Sequence, residues 1–423
     1  MKDLSAMSPP YRDFIQARCQ ADESGGEVLE NGTGCQRLRS AKGSYSDRDT
    51  AGEPACVGLT RGFIPHGDIM LIGLFCLMIM SPGPDSKISV LDRPPQTPAI
   101  QPTRTLLGKR EVYPSILHSI GETPLVHLSR LFPEFPQTLY GKLECSNPGG
   151  SIKDRTALNI LERAMQSGEL KSGSTVIESS SGNMAIGLAQ ACRYWSLKLI
   201  VVVDPKINNQ TLKLLEAYGA EIHQVTEPEP GSSFLEARIS KVKQLLAERP
   251  NSFWSDQYHN IDNPGTHRVT MKEILRQLQG QVDYVFAATS TCGTLMGCAD
   301  YLCERQSTTK MIAVDAKGSV IFGASEGERL IPGHGAGRKS NFLVRSKIDQ
   351  VVHVSDRECV TGCRELLARE AILAGGSSGG VVTAVQKTLP RLPPQSSCVM
   401  IFSDRGERYL DTVYNDEWVS QNL

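Results

Sequence analysis

Cysteine is present here without any of the spacings that give it a special role. The 12 Cys are scattered, with no C-x-x-C pair and no Cys/His cluster at zinc or haem spacing. No metal site is expected, and the thiols suit a reducing, cytoplasmic setting in which they pack as small apolar groups. A charge imbalance is also missing. The 45 Lys and Arg against 46 Asp and Glu leave a formal net charge of −1, which gives no electrostatic ground for a nucleic acid or an anionic membrane as partner. Long apolar runs are absent too. The stretch Ile69–Met80 has 12 residues, too few to span a bilayer, and it lies too far from the N-terminus, behind Asp68, to act as a secretory h-region. Without a signal peptide the sequons at Asn31 and Asn209 carry little weight. Neither a Walker A spacing nor G-x-G-x-x-G occurs, so nucleotide binding is not favoured.

What is present is ordinary globular protein: 40% hydrophobic and 22% charged residues in a chain of 423, enough for one large or two medium domains. Residues 1–108 differ from the rest, being rich in Gly, Ser, Pro, Asp and Arg and lacking sustained periodicity. They read as a low-order extension, or as sequence ahead of a later start at Met70, Met78 or Met80. From Ser115 strands and helices alternate. Thr175–Glu178, Leu199–Val203, Glu221–Val225, Asp283–Ala288, Met311–Val314, Val351–Val354 and Cys398–Phe402 read as strands. The continuous β-branched run Leu199–Val203 marks a strand buried on both faces. Helices fall between them, including Thr211–Tyr218 and Ser233–Glu248, and Ser355-Asp-Arg-Glu358 is a capping box. The alternation predicts an α/β fold with parallel sheet covered by helices on both faces.

The chemistry gathers around Asn147-Pro-Gly-Gly-Ser-Ile-Lys153-Asp-Arg155. Lys153 follows a Gly/Ser turn, and Ala157, Ile160, Leu161 and Ala164 mark one face of a helix that ends near Gly168. A lysine on the approach to a helix N-terminus has its pKa lowered by the dipole, a suitable state for a Schiff-base amine. The plain alternative is a surface lysine beside Asp154 and Arg155. Three more small-residue turns open helices: Ser180-Ser-Gly-Asn183, Ser290-Thr-Cys-Gly-Thr294 and Ala374-Gly-Gly-Ser377-Ser-Gly-Gly380. The second follows a strand directly, and its N–H groups and hydroxyls would form an anion nest for a phosphate. Each turn by itself reads equally as a simple cap.

Together, Gly121-Glu-Thr-Pro-Leu125, the Lys153 segment, Ser181-Gly-Asn183, Gly293-Thr-Leu-Met-Gly297, Gly335-Ala-Gly337 and Gly406-Glu-Arg-Tyr-Leu410 resemble the fold-type-II pyridoxal-phosphate enzymes of the cysteine synthase family, over about residues 111–423. The resemblance implies two parallel-sheet domains like those of tryptophan synthase β, with the cofactor in the cleft between them. The larger would comprise 109–146 and 258–423, the smaller and mobile one 147–257. It makes Lys153 the Schiff-base lysine and the base for the Cα proton. It puts Asn183 on the cofactor's phenolic oxygen, Ser290, Thr291, Cys292, Gly293 and Thr294 around its phosphate, and Ser377 at the pyridine nitrogen. A neutral hydroxyl there makes the ring a weaker electron sink than a carboxylate would, which favours β-elimination followed by addition of a nucleophile. Ser180, Ser181 and Gly182 would clamp the substrate carboxylate.

Several stretches depart from plain cysteine synthases: Met184-Ala185 stands for Thr-Gly, while Ser290 and Cys292 stand for glycines of the usual phosphate loop. With Val202–Ile207, Arg238–Val242, Ala313–Gly323 and Asp404–Asp411 they are similar to one subfamily, the N-(2-amino-2-carboxyethyl)-L-glutamate synthases of siderophore pathways. That likeness implies O-phospho-L-serine and L-glutamate as substrates, a step toward 2,3-diaminopropionate, and Arg238, Tyr258 and Ser290 as pocket residues. A homodimer and a separate downstream oxidative enzyme are implied as partners. Cysteine synthesis with sulfide is the alternative. Thr266–Lys272 lacks that subfamily's Gly-rich turn, expected near the cofactor, so a different second substrate stays open. Phe132–Gln137 reads as an inserted surface turn, His259 and His267 as solvated or capping, and Cys359 with Cys363 as packing.

Overall fold

A computed structural model describes residues 112–228 and 233–423, so the readings of 1–108 and of the 69–80 run lie outside it. Two sheets carry this part of the chain. Strands β1 (Leu125–His127) and β2 (Thr138–Leu143) join β7 (Tyr284–Ala288), β8 (Lys310–Ala316), β9 (Gln350–Val354) and β10 (Ser397–Phe402) in the order β1-β2-β10-β7-β8-β9. Four strands between them in sequence, β3 (Thr175–Ser179), β4 (Lys198–Val203), β5 (Glu221–Gln224) and β6 (Ser252–Trp254), form a second sheet of order β5-β4-β3-β6. All pairings are parallel except β1 against β2, in the register Leu125↔Lys142. The alternating pattern thus yields the expected α/β architecture, with one antiparallel edge strand added.

The helices are α1 (Lys153–Ser167), α2 (Asn183–Tyr194), α3 (Asn209–Tyr218), α4 (Phe234–Glu248), α5 (Asp262–Gln277), α6 (Gly293–Glu304), α7 (Asp356–Glu370), α8 (Gly376–Thr388) and α9 (Asp416–Asn422). The period of two along each central strand decides which helix it meets. In the smaller sheet Val176, Val201 and Val203 pack on Leu161 of α1 and Leu188 of α2. Ile177, Ile200 and Val202 face Val242 and Leu245 of α4 instead. The larger sheet divides likewise: Met400 and Phe402 meet Val381 of α8, whereas Val399 and Ile401 meet Leu295 of α6. Strands buried on both faces cannot alternate polar with apolar, which is why β4 reads as one hydrophobic run.

Gly168 closes α1 in the left-handed region, φ +85°. Capping boxes start α4 at Ser233 and α7 at Ser355. Cys359 and Cys363 are buried in the α7–α8 contact and act as packing groups. Two sequence expectations change. Thr266–Lys272 is the middle of α5, not a loop, because Asn263, His267 and Thr270 turn a polar face inward. Within Phe132–Gln137 only the middle lies at the surface. Phe132 is buried, and Gln137 Nε2 donates to the carbonyls of Leu389 (3.1 Å) and Leu392 (3.0 Å). Among the described residues no helix is long and apolar enough to cross a membrane.

Candidate active site at the helix N-termini

Parallel strands deliver their following turns to one edge of the sheet. Here the segment leaving β10 gathers three helix N-termini. Ile152 N–H donates to Ser403 O at 2.8 Å, and Ser403 N–H donates to Ser378 Oγ at 3.1 Å, which ties α1 to α8. Asp404 binds α2: Asn183 Nδ2 donates to Asp404 Oδ2 at 2.9 Å, and Arg408 donates to Asn183 Oδ1. Tyr409 Oη also donates to Asp404 Oδ2, at 2.6 Å. Gly375 is obligatory here, since a Cβ on it would stand 2.0 Å from Asp404 Oδ1.

The helices meeting at this point share one trait. Side chains cap α3, α4, α7 and α9, through Asn208, Ser233, Ser355 and Asn415. At α1, α2, α5, α6 and α8 the N-cap residue gives no side-chain bond, although Ser151 and Thr291 accept from the first N–H of α1 and of α6. First turns of this kind keep N–H donors and positive dipole ends available to a ligand.

Lys153 opens α1. It is half-buried, and its amine makes no hydrogen bond among the described residues. Loss of solvation pulls its pKa to about 8, against the opposing pull of Cys292 and Glu178 nearby. Glu178 lies within the fully buried β3, and burial raises its carboxyl to about 7 even though Ser255 and Gln257 donate to it. The Cys292 thiol is raised by burial to about 12, so it is no thiolate nucleophile.

The turn into α6 is built tightly. Cys292 adopts φ +65°, a left-handed conformation natural for glycine and strained for cysteine. Asn263 Nδ2 donates to Thr291 Oγ1 (3.2 Å), and Ser340 Oγ donates to Thr291 O (2.7 Å). A Cβ on Gly293 would lie 2.1 Å from Asn263 Oδ1, and one on Gly297 2.1 Å from Pro264 O. Thr294 Oγ1 and Thr156 Oγ1 both reach His267 Nε2, at 3.3 and 3.1 Å. His267 is fully buried, and desolvation together with Lys153 and Arg155 holds its pKa well below the usual imidazole value. The expectation of a solvated or capping His267 is therefore wrong. His259 does lie at the surface, beside Asp256.

Opposite, the 180–183 turn is looser. Ser180 is buried while Ser181, Gly182 and Asn183 are half-buried, and Ser180 Oγ accepts from Gly182 N–H at 3.3 Å. Arg238 reaches in from α4: its Nη1 donates to Ser181 Oγ at 3.1 Å, and its Nε lies 3.3 Å from Asp204 Oδ2. Tyr258, after β6, feels Arg238, Arg338 and Arg329, and lines a cleft of about 390 Å³. Ser290 and Ser377 make no hydrogen bond through their hydroxyls among the described residues.

These groups fit pyridoxal phosphate. Lys153 offers an unpartnered, readily neutral amine for the aldehyde, the α6 turn offers donors for the phosphate, and the Ser377 hydroxyl is unengaged. The sequence profile of the pyridoxal-phosphate dependent enzymes matches residues 116–404. The chain belongs to this family.

Two relatives carry the description N-(2-amino-2-carboxyethyl)-L-glutamate synthase. One, from Ralstonia nicotianae, is 46% identical over 308 residues, 73% of this chain and 91% of the relative. The other, from Cupriavidus metallidurans, is 45% identical over 311 residues, again 73% and 91%. Among solved structures, a hydrogen sulfide-producing enzyme from Fusobacterium nucleatum aligns with TM-score 0.67 and 31% identity over 71% of this chain and all of that one. An O-acetylserine dependent cystathionine β-synthase from Helicobacter pylori gives TM-score 0.67 and 31% identity over 72% and 99%.

Asn263, His267, Asp404, Asp204 and Glu178 were missed as site residues. Only Glu178 left a signal, a carboxylate inside an apolar strand. The others are defined by partners distant in sequence.

Proposed function

We propose that this pyridoxal-phosphate enzyme joins the amine of L-glutamate to the β-carbon of O-phospho-L-serine, releasing phosphate and forming N-(2-amino-2-carboxyethyl)-L-glutamate. The observation that carries this reading is Arg238, largely buried and aimed at Ser181, because a planar guanidinium is suited to a substrate carboxylate and useless to sulfide.

Bound at Lys153, the cofactor supplies the electron sink that makes the Cα proton acidic and lets the β-phosphate leave. Lys153 Nζ takes the Cα proton and later returns it. The turn Thr291–Thr294 holds the cofactor phosphate with its N–H groups and hydroxyls, and Ser377 meets the pyridine nitrogen as a neutral partner. Asn183 has one amide N–H beyond that given to Asp404, and offers it to the ring oxygen. Ser180, Ser181 and Gly182 clamp the first substrate's carboxylate, while Arg238, Tyr258 and Ser290 orient the acceptor. As the new C–N bond forms, the C–O bond to phosphate has broken and the acceptor amine gives up one proton.

The half built on β3–β6, about 147–257, is the part that closes over substrate, against 109–146 and 258–423. A homodimer, a cytoplasmic location and a separate oxidative enzyme acting on the product complete the reading. The alternative, cysteine synthesis from O-acetylserine or O-phosphoserine, has support in the sulfur chemistry named for the F. nucleatum enzyme. Cofactor-loaded protein given O-phosphoserine and L-glutamate should release phosphate and yield the amine adduct by mass. Phosphate release without the adduct would refute the assignment of the acceptor.

A further inference from the structure

Glutamate differs from simpler amines in its distal carboxylate, and the residues assigned so far leave that group without a reader. The cleft beside Tyr258 supplies one. Glu178 and Ser179 bound it where β3 runs into the 180–183 turn, Leu235 and Trp254 give it an apolar wall, and Lys243 and Arg338 are its cations. Its volume is about 390 Å³. Arg338 stacks its guanidinium on the Tyr258 ring, 4.8 Å from the centroid. Its Nη2 donates to His259 Nε2 at 3.3 Å, and His259 Nδ1 faces Asp256 at 2.9 Å, so Nε2 is the acceptor and the plane of the guanidinium is held from two sides. Arg238 spends part of its charge on Asp204, whereas among the described residues no carboxylate pairs with Arg338. The two carboxylates on the cleft wall are engaged elsewhere, Glu178 by Ser255 and Gln257 and Asp256 by His259, so the half-buried, stacked Arg338 is the group prepared for an anion from outside the chain.

We infer that Arg338 binds the distal carboxylate of the amine-bearing substrate, so that this cleft selects a dicarboxylic amino acid. The inference rests on the proposed β-replacement with an amine. In it the acceptor's methylenes lie along Leu235 and Trp254, its amine points toward the Lys153 side, and its far carboxylate takes the guanidinium fork. Arg338 is then a specificity residue for the second half of the reaction.

The test compares L-glutamate with L-glutamine, which has the same shape without the charge. The kcat/KM ratio for the two would be measured on the cofactor-loaded full chain with O-phosphoserine, for wild type, R338Q, R338K and K243Q. Phosphate release without acceptor would be recorded separately for each. Wild type should prefer glutamate by about tenfold or more. R338Q should bring the ratio close to one, chiefly through KM for glutamate, and R338K should restore part of it. A purely structural defect would lower both substrates in proportion, and an unchanged ratio in R338Q overturns the inference. So does a ratio that collapses in K243Q but not in R338Q. Wild type that releases phosphate yet makes no glutamate adduct refutes the underlying reading itself, and the inference with it.

Discussion

The turns that open α2 and α6 have similar sequences, Ser180-Ser-Gly-Asn and Ser290-Thr-Cys-Gly, and neither N-cap residue gives a side-chain bond, yet they are held in opposite ways. The α6 turn is buried at Thr291, Cys292 and Gly293, and its partners are close in sequence, Asn263 and His267 on α5 and Ser340 after β8. A Cβ on Gly293 would meet Asn263 at 2.1 Å, while one on Gly182 meets nothing within 4 Å. The α2 turn is half-buried and borrows Asp404 and Arg408 from across the site and Arg238 from α4. One turn is fixed by packing and suits a group that stays, as proposed for the cofactor. The other is joined by polar contacts that can be exchanged, and suits substrates that come and go.

Breaking the fixed side should have the largest effects. K153A removes the amine proposed both to form the Schiff base and to carry the proton, so turnover should fall roughly a thousandfold or more and the visible absorbance of the bound cofactor should change. Behind that lysine, Arg155 bonds Glu144 and Glu273 (2.7 Å each), and Lys142 Nζ bonds Glu273 at 2.8 Å, all four side chains being nearly inaccessible. R155M leaves two buried carboxylates short of charge and should cost roughly 3–5 kcal/mol, read by urea unfolding. Glu273 is driven down to about 2, by Arg155 and then Lys142 against its own desolvation. The stability it contributes is therefore present above the ordinary glutamate range and lost as pH falls toward 2. E273Q should flatten that part of the acid-unfolding profile.

A paired glycine test sharpens the contrast between the turns. G293A should weaken cofactor retention about tenfold or more, because Asn263 or the turn has to move, whereas G182A should change it by no more than about threefold. Equal effects would erase the distinction. The smallest effect concerns pH. Because Lys153 titrates near 8 rather than 10.5, loading of the cofactor-free chain should accelerate with pH and level off just above 8, followed by visible absorbance. An ordinary lysine would keep gaining beyond pH 10.

The sequence exposed the parts of this site that depend on local order. Lys153 stood out because a Gly/Ser turn precedes a clear helix, and the α6 turn because it follows a buried strand directly. The central strands were legible from β-branched runs. The three-residue β1 and β6 were not, being too short to show a period, and neither was the interior strand β2, whose Gly141 and Lys142 break its apolar run. His267 was misread for a physical reason: a polar stripe on a helix ordinarily faces solvent, but on α5 it faces α1 and α6. Its contact with Thr156 spans 111 residues, and that of Asn183 with Asp404 spans 221. Pairings of that range follow from the packing of the two sheets, so no local pattern announces them.

The claim that the α2 turn and its arginine choose the nucleophile has a direct test. Cofactor-loaded protein would receive O-phosphoserine with L-glutamate and sulfide together, and the ratio of amine adduct to cysteine would be read by mass for wild type and R238Q. The account predicts mostly adduct from wild type and a shift toward cysteine of at least about tenfold in R238Q. An unchanged ratio, with both products falling in proportion, would contradict it.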